Sequence, residues 1–473
     1  MKTTLERELK LEADPGFTLP DLGGKPLAPR TFTSTYYDTP ARRLLRSGIT
    51  LRRRVENRAG VWQLKLPSED GRYELEQKGG PSRPPDVLLE LLPAVLRGDA
   101  ALEPVAKLRT KRDGVAVTDG EDRVEVVLDK VAVLDGARTV SSFVELEAEA
   151  VAGNGAPLAA IGKSLRKAGA RRGDGRSKLQ RVLSEPAPDP DAETTDPATR
   201  LRRLLVEQYE EIVANDPGVR LGEDPEALHQ LRVATRRSRA LLRAARGLVS
   251  PEWAEPLRGE LAWLGGLLGP VRDLDVLLEH LDSEAPTLEG DDARAFRRLR
   301  SRLVSERENA RAALLEAMSD ERYFRLLDAL ERADQAPDTA STVSLPEIAA
   351  KAFGKLRKAA KALPKHPSDD ELHRVRIETK RARYAAELGE PALKKAGTRF
   401  VTRAKVLQDV IGDHQDAVVA EERIRELALR GGSRTALAAG RLIERQRARK
   451  QAARRAYPAA WRNLDKAGSS AFS

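Results

Sequence analysis

Five residues near the start, Glu6-Arg7-Glu8-Leu9-Lys10, place two carboxylates and an ammonium at every second position. In an extended strand successive side chains alternate faces, so Glu6, Glu8 and Lys10 share one side and Leu5, Leu9 and Leu11 take the other with Arg7. The same rule pairs Arg52 with Arg54, Gln63 with Lys65, Glu74 with Glu76, and Glu125 with Asp129, and it aligns Glu145, Glu147 and Glu149. One such strand reads simply as the solvated side of a sheet. Repetition in nearly every strand, with both signs of charge and an apolar opposite face, instead suggests a closed barrel with a polar lumen. Carboxylate oxygens of this kind hold Mg²⁺ or Mn²⁺, while Arg and Lys hold phosphate oxygens. A metal-bound phosphate chain satisfies both.

A second chemistry-bearing pattern is helical. His229, Arg232, Arg236, Arg239 and Arg243 recur at spacings of three and four and share one face, leaving Leu228, Leu231, Leu241 and Leu242 for a core. His373, Arg376, Lys380 and Arg383 repeat the pattern in a second copy. Like charges at these spacings cost about 0.2–0.5 kcal/mol per pair, and an anionic ligand compensates for that cost. A histidine at a helix start is a cap or core residue by default, so neither His is assigned catalysis. Downstream, Gly269-Pro-Val-Arg-Asp273 corresponds to Gly412-Asp-His-Gln-Asp416, whose aspartates are read as helix-end or interhelical hydrogen-bonding groups.

The elements that must position these residues divide in two. Before residue 184, period-two segments at 4–11, 49–55, 61–66, 72–76, 123–134 and 143–151, with short helices at 85–97 and 157–168, give an α+β domain built on an antiparallel β-barrel or tunnel. Residues 185–200, with four prolines among small and acidic residues, form the linker. Residues 201–465 read as all-α, two duplicated helical bundles at about 201–335 and 345–465, with breakers at Pro217, Pro251, Pro270, Pro286, Pro337, Pro364 and Pro391.

The 473 residues exceed what one core usually serves, and a formal charge of +10 suits a polyanionic partner. With no cysteine, disulfides, thiolate metal sites and Cys nucleophiles are excluded. No secretory leader and no long apolar run is read, so the expectation is a cytoplasmic protein without a membrane partner. Aromatic residues are only 4%, which offers little to stack unpaired bases and speaks against nucleic acid.

The ordered series Glu6-Arg7-Glu8-Leu9-Lys10, Tyr36-Tyr37-Asp38-Thr39, Leu51-Arg52-Arg53-Arg54, Leu64-Lys65, Arg72-Tyr73-Glu74-Leu75-Glu76, Leu108-Arg109-Thr110-Lys111-Arg112, Asp129, Glu145-Leu146-Glu147 and Ser177-Lys178 resembles the CYTH superfamily of triphosphate tunnel enzymes. That resemblance implies Mg²⁺- or Mn²⁺-dependent hydrolysis of inorganic triphosphate or short polyphosphate. It implies Glu6, Glu8 and Lys10 as catalytic, Glu6, Glu8, Asp129, Glu145 and Glu147 as metal ligands, and Arg52, Arg54, Lys65, Arg109, Arg112 and Lys178 as phosphate ligands. Strand parity adds that Arg109 and Arg112 cannot both face the lumen, with Arg109 the preferred member. The duplicated histidine helices resemble the CHAD domain, which implies polyphosphate binding through both stripes. Lys380 in place of Arg, Glu387 at the register of Arg243, and Glu378 nearby imply weaker anion contacts in the second copy. The alternative is a non-catalytic polyphosphate-binding protein at polyphosphate granules.

Overall fold

The computed structural model describes residues 1–68, 70–98, 101–173, 176–183, 196–285, 290–339, 343–429 and 433–472. Residues 185–195 of the expected linker lie outside the described residues. Contacts divide the chain into two units, residues 1–189 with 210–230, and residues 190–209 with 231–473.

In the first unit the strands are β1 (Lys2–Glu12), β2 (Lys25–Pro26), β3 (Arg30–Asp38), β4 (Thr50–Glu56), β5 (Ala59–Ser68), β6 (Gly71–Lys78), β7 (Glu103–Asp119), β8 (Asp122–Asp135), β9 (Arg138–Ala152) and β10 (Arg171–Arg172). All pairings are antiparallel, and the path β1-β6-β5-β4-β3-β7-β8-β9 closes because β9 returns to pair with β1. This is the expected tunnel-like barrel. β2 and β10 add short ladders to β7 and β1 outside that ring. One-turn helices α1 (Arg43–Arg46), α2 (Asp86–Leu89) and α3 (Pro93–Leu96) interrupt the strands, followed by α4 (Leu158–Lys167) and α5 (Lys178–Leu183). Pro93 splits the expected 85–97 helix in two, because proline is accepted at a first helical turn and not within one.

Alternation sorts the barrel wall. Leu11, Val124, Val126, Leu128, Leu146 and Ala148 point outward and are buried beneath Ile161 and Leu165 of α4. Tyr36, Leu108, Val131 and Val133 form an apolar cluster with Leu179 of α5. β3 and β7 are strands that the periodicity did not mark. Their sequences, Arg-Thr-Phe-Thr-Ser-Thr-Tyr-Tyr-Asp and Glu-Pro-Val-Ala-Lys-Leu-Arg-Thr-Lys-Arg-Asp-Gly, lack a clean apolar face, and pairing with neighbours on both sides determines their conformation.

The remaining chain is helical: α6 (Pro197–Leu221), α7 (Pro225–Ala244), α8 (Pro251–Glu284), α9 (Gly290–Ala317), α10 (Glu321–Glu331), α11 (Leu345–Lys361), α12 (Asp369–Leu388), α13 (Glu390–Leu429) and α14 (Ser433–Ala471). Pro217 and Pro270 were expected as breakers but lie inside α6 and α8. A single proline removes one backbone bond, and packing along a long helix outweighs it. Pro391 stands at the second residue of α13, just past the end of α12 at Leu388, and so does mark a helix boundary; the one non-helical residue of α13 is Lys394 at φ 49°.

Two core clusters organise the second unit. Phe353 and Leu356 of α11, Leu372 and Val375 of α12, and Phe400 and Leu407 of α13 meet Leu464 of α14. Farther along, the same α13 and α14 supply Ile424 and Leu442 to a cluster with Leu277 and Leu281 of α8 and Leu299 of α9. At 40 and 39 residues, α13 and α14 are each long enough to contribute to both clusters. The duplication also survives in small detail. Thr235 donates to the Leu231 carbonyl at 2.9 Å, and Thr379, its counterpart, donates to Val375 at 2.8 Å, each from a buried position.

Candidate functional site

The lumen is a cavity of about 220 Å³. Its wall carries eight cations, Lys10, Arg30, Arg52, Arg54, Lys65, Arg72, Arg112 and Lys178, against seven carboxylates, Glu6, Glu8, Glu74, Glu125, Asp129, Glu147 and Glu149. Register explains the gathering. Lys10 lies opposite Glu147 and Glu8 opposite Glu149 where β1 meets β9, while Asp129 on β8 faces Arg112 on β7. Gly71 brings β6 close to β1: its φ is 145°, and a Cβ there would sit 2.0 Å from the Glu6 carbonyl oxygen.

Two ion-pair networks result. Lys65 Nζ is 2.5 Å from Glu6 and 3.3 Å from Glu74, and Arg52 Nη2 is 3.5 Å from Glu74. Arg52 also donates to Gln63 at 2.8 Å and to the Tyr36 hydroxyl at 3.1 Å. In the second network Arg112 grips both Asp129 oxygens at 2.7 Å and donates to Glu147 at 2.7 Å. Lys178 Nζ lies 3.0 Å from Asp129, 3.0 Å from Glu145 and 2.6 Å from Glu147.

Burial leaves this charge unevenly settled. Glu6 is pushed up to about 7, first by burial and then, against the pull of Lys65, by the Glu74 carboxylate. Glu145 is pushed up to about 7 by burial and, against Lys178, by Glu147. Burial also raises Glu149, helped by Glu8 and Glu147 and opposed by Lys65. Arg54 falls to about 10 because it is buried beside Arg52 and Arg112, and it stacks over the Phe32 ring at 4.4 Å. Among the described residues the buried Ser34 hydroxyl and the Arg54 Nε have no hydrogen-bond partner. Unpartnered polar atoms in such a wall suit a polar ligand.

Of the residues expected here, Glu6, Glu8, Lys10, Arg52, Arg54, Lys65, Arg112, Asp129, Glu147 and Lys178 line this one cavity. Two do not. Arg109 is exposed, on the outer side of β7, so parity selects Arg112 and reverses the preference; Thr110 and Arg112 share the inner face. Glu145 is 2% exposed and absent from the cavity wall, tied to Lys178 and to Arg181 at 3.5 Å. Arg30 and Arg72 were not anticipated as site residues. Arg30 shares parity with Ser34 and Tyr36 on a strand the pattern missed, whereas Arg72 shares parity with Glu74 and could have been found.

The donor set suits a hard divalent cation. All the carboxylates supply oxygen, and Glu8 and Glu149, opposite one another in register, are like charges, Glu8 with Lys10 at 3.0 Å, that a metal ion would offset further. Asp129 and Glu147, by contrast, are already matched by Arg112 and Lys178. Among the described residues no three acidic or imidazole groups form a ready-made metal cage. Magnesium commonly uses one or two carboxylates together with substrate phosphates, which is compatible with that.

In the second unit, α7, α11 and α12 line a groove of about 750 Å³. Arg236, Arg239 and Arg243 of the first stripe and His373, Arg376 and Lys380 of the second line it. Lys380 is depressed to about 7 by burial and then by Arg376, Arg236 and Arg232. Burial likewise lowers Arg376 and Arg232, partly offset by Asp416 and Asp273. Arg232 is paired to Asp273 at 3.1 Å between α7 and α8, which is the interhelical role expected of that aspartate. His373 Nδ1 is 2.9 Å from the Gln415 side-chain oxygen, a positioning contact. Arg383 does not line the groove: it is paired to Glu387 at 3.3 Å and lies over the Tyr384 ring. His229 stands one turn before Arg232 on α7, in the first unit.

Comparison with known proteins gives two family matches: the CYTH domain over residues 4–182 and the CHAD domain over residues 203–425. An uncharacterized protein of Mycobacterium tuberculosis is 32% identical over 476 residues, spanning 92% of this chain and 90% of that protein. Among solved structures, PptA from Streptomyces chartreusis is 28% identical with a TM-score of 0.48, covering 56% of this chain and 99% of its own. The CHAD domain from the plant Ricinus communis is 27% identical with a TM-score of 0.46, covering 56% of this chain and 90% of its own.

Proposed function

The chain belongs to the proteins that join a CYTH domain to a CHAD domain, and from that membership we propose a metal-dependent hydrolase of inorganic triphosphate or short polyphosphate whose helical domain binds longer polyphosphate. The observation that carries the first half is the lumen itself, with eight cations and seven carboxylates facing one another in a closed barrel. Glu6, Glu8 and Glu149 are the carboxylates that would hold Mg²⁺ or Mn²⁺, with Glu147 released to them when phosphate takes over Lys178 and Arg112. When bound, the ion supplies Lewis-acid charge at the phosphoryl oxygens and a position for the attacking water.

The chain's own groups do the rest. Arg52, Arg54 and Arg112 offer forked donors that match phosphate oxygens in pairs, while Lys10, Lys65 and Lys178 act as point charges. A phosphate chain would exchange places with Glu74, Asp129 and Glu147 as their partner, so cations arrive at the transition state already oriented. Protein walls on all sides limit bulk water, which strengthens each contact. In-line attack by water needs no covalent intermediate.

The second half rests on the cation excess of the groove and on Lys380, which is depressed first by burial and then by the like charges of Arg376, Arg236 and Arg232. An anion there would offset the like-charge part of that shift.

Phosphate release from inorganic triphosphate and from ATP, with and without Mg²⁺ or Mn²⁺, tests the enzyme. Metal-dependent release that disappears in Glu6→Gln/Glu8→Gln supports hydrolysis and ranks the substrates. The non-catalytic reading has its own observation, the saturation of Asp129 and Glu147 by Arg112 and Lys178. No release from a folded wild type that still binds polyphosphate would select it.

A further inference from the structure

Phosphate chains carry no apolar surface, yet the groove between α7, α11 and α12 is not uniformly polar. Ile348 and Ala352 of α11, with Ile377 and Ala385 of α12, contribute an apolar wall to the same cavity that Arg236 and Lys380 line. Ile377 is 36% exposed, an aliphatic side chain left partly in water beside a cationic surface. An inorganic chain seated on the cations would leave that wall wet.

Two polar atoms add a third kind of contact. Tyr384 is 1% exposed, lines the groove, and its hydroxyl has no hydrogen-bond partner among the described residues. Glu378 also lines the groove. Its Oε1 is paired with Arg381, and its buried Oε2 has no hydrogen-bond partner among the described residues. A phenol can donate or accept, and a carboxylate oxygen accepts from an amino group. Buried groups of this kind are normally satisfied, so their vacancy in an otherwise formed cavity points to a ligand that supplies both functions.

We propose that this groove binds a nucleoside polyphosphate, its phosphates on Arg236 and Lys380 and its base against Ile348 and Ile377 within reach of Tyr384 and Glu378. The inference rests on the reading of the helical domain as an anion receptor and narrows its ligand. Cations, an apolar wall and a donor–acceptor pair together match a phosphorylated ligand with an amino-bearing ring. The volume of about 750 Å³ falls in the ordinary range of small-molecule sites.

The test uses the full chain photolabelled with 8-azido-ATP and mapped by peptide mass spectrometry. Label is expected on peptides from residues 345–361 and 369–388, displaced by ATP at about one-tenth the concentration of inorganic triphosphate, and reduced about tenfold by Ile377→Asp. Ile348→Asp gives a second variant should the first fail to fold. Label confined to the barrel, equal displacement by ATP and inorganic triphosphate, or label unaffected in the folded variants would overturn the proposal. Filter binding of long-chain polyphosphate to the wild type separates the two levels. Polyphosphate bound without groove labelling removes only the nucleotide, whereas no polyphosphate binding removes the anion-receptor reading.

Discussion

The barrel lumen and the helical groove both gather arginine and lysine, but they balance that charge in opposite ways. Eight lumen cations stand among seven carboxylates, whereas nine Lys and Arg side chains line the groove with only two glutamates. Facing strands bring residues of opposite sign into register, so the lumen is assembled already neutralised. In the groove, stripes from two copies of one helix turn the same sign toward the same space. A substrate entering the lumen exchanges partners with carboxylates, and an anion entering the groove relieves repulsion. The first arrangement suits orientation for chemistry, the second capture.

That contrast can be broken most forcefully at the carboxylates. Glu6→Gln/Glu8→Gln is expected to lower metal-dependent phosphate release at least about 100- to 1,000-fold, while polyphosphate retention on a filter stays within about twofold. Loss of both together would mean that one site serves both tasks.

Removing a cation separates the regions next. Arg112→Ala strips the bidentate partner from Asp129, and urea unfolding should show a loss of about 3 kcal/mol, the lower end for a broken buried pair because Lys178 remains. Arg109→Ala, outside the wall, should stay within about 0.5 kcal/mol. Arg236→Ala/Arg376→Ala in the groove should not destabilise comparably, but should weaken polyphosphate binding about tenfold and flatten its salt dependence.

Protonation gives a finer contrast. The folded-state pKa of Lys380 is depressed to about 7, so the neutral amine is favoured by folding and anion-free stability should rise as pH climbs from about 7 toward the ordinary lysine range. Bound polyphosphate requires the charged form, so its affinity should fall over the same interval, by about 25-fold in a titration from pH 6.5 to 8.5. Lys380→Arg should flatten that profile. Glu6, raised to about 7, has the opposite slope: its contribution to metal-free stability is greatest below the ordinary glutamate range and declines as pH rises to 7. Thermal melts of wild type, Glu6→Gln and Lys380→Met across this range would read both. Arg383→Ala should have the smallest effect, under about twofold on polyphosphate binding, because Glu387 already holds that side chain.

Much of the site was legible in the chain because strand alternation is a local rule. Glu6-x-Glu8-x-Lys10, Arg52-x-Arg54 and Glu145-x-Glu147 each declare a shared face without reference to any neighbour. The histidine stripes follow equally from helical spacing, and their duplication predicted paired basic helices. Less legible were β3 and β7, whose mixed residues gave no period, and with them Arg30.

By itself the sequence determined the two-part organisation, the barrel's polar lumen, the all-helical second part and the families to which both belong. Tertiary structure alone decided that Arg112 faces inward while Arg109 faces water, that Glu145 is buried against Lys178 and Arg181, and that Arg383 answers to Glu387 instead of the groove. It also decided that prolines 217 and 270 ride within continuous helices. For the prolines the reason is packing along a long helix; for the three side-chain placements it is another. Periodicity says which residues share a face, but which face turns inward, and which partner reaches a charge first, depends on register with segments distant in sequence.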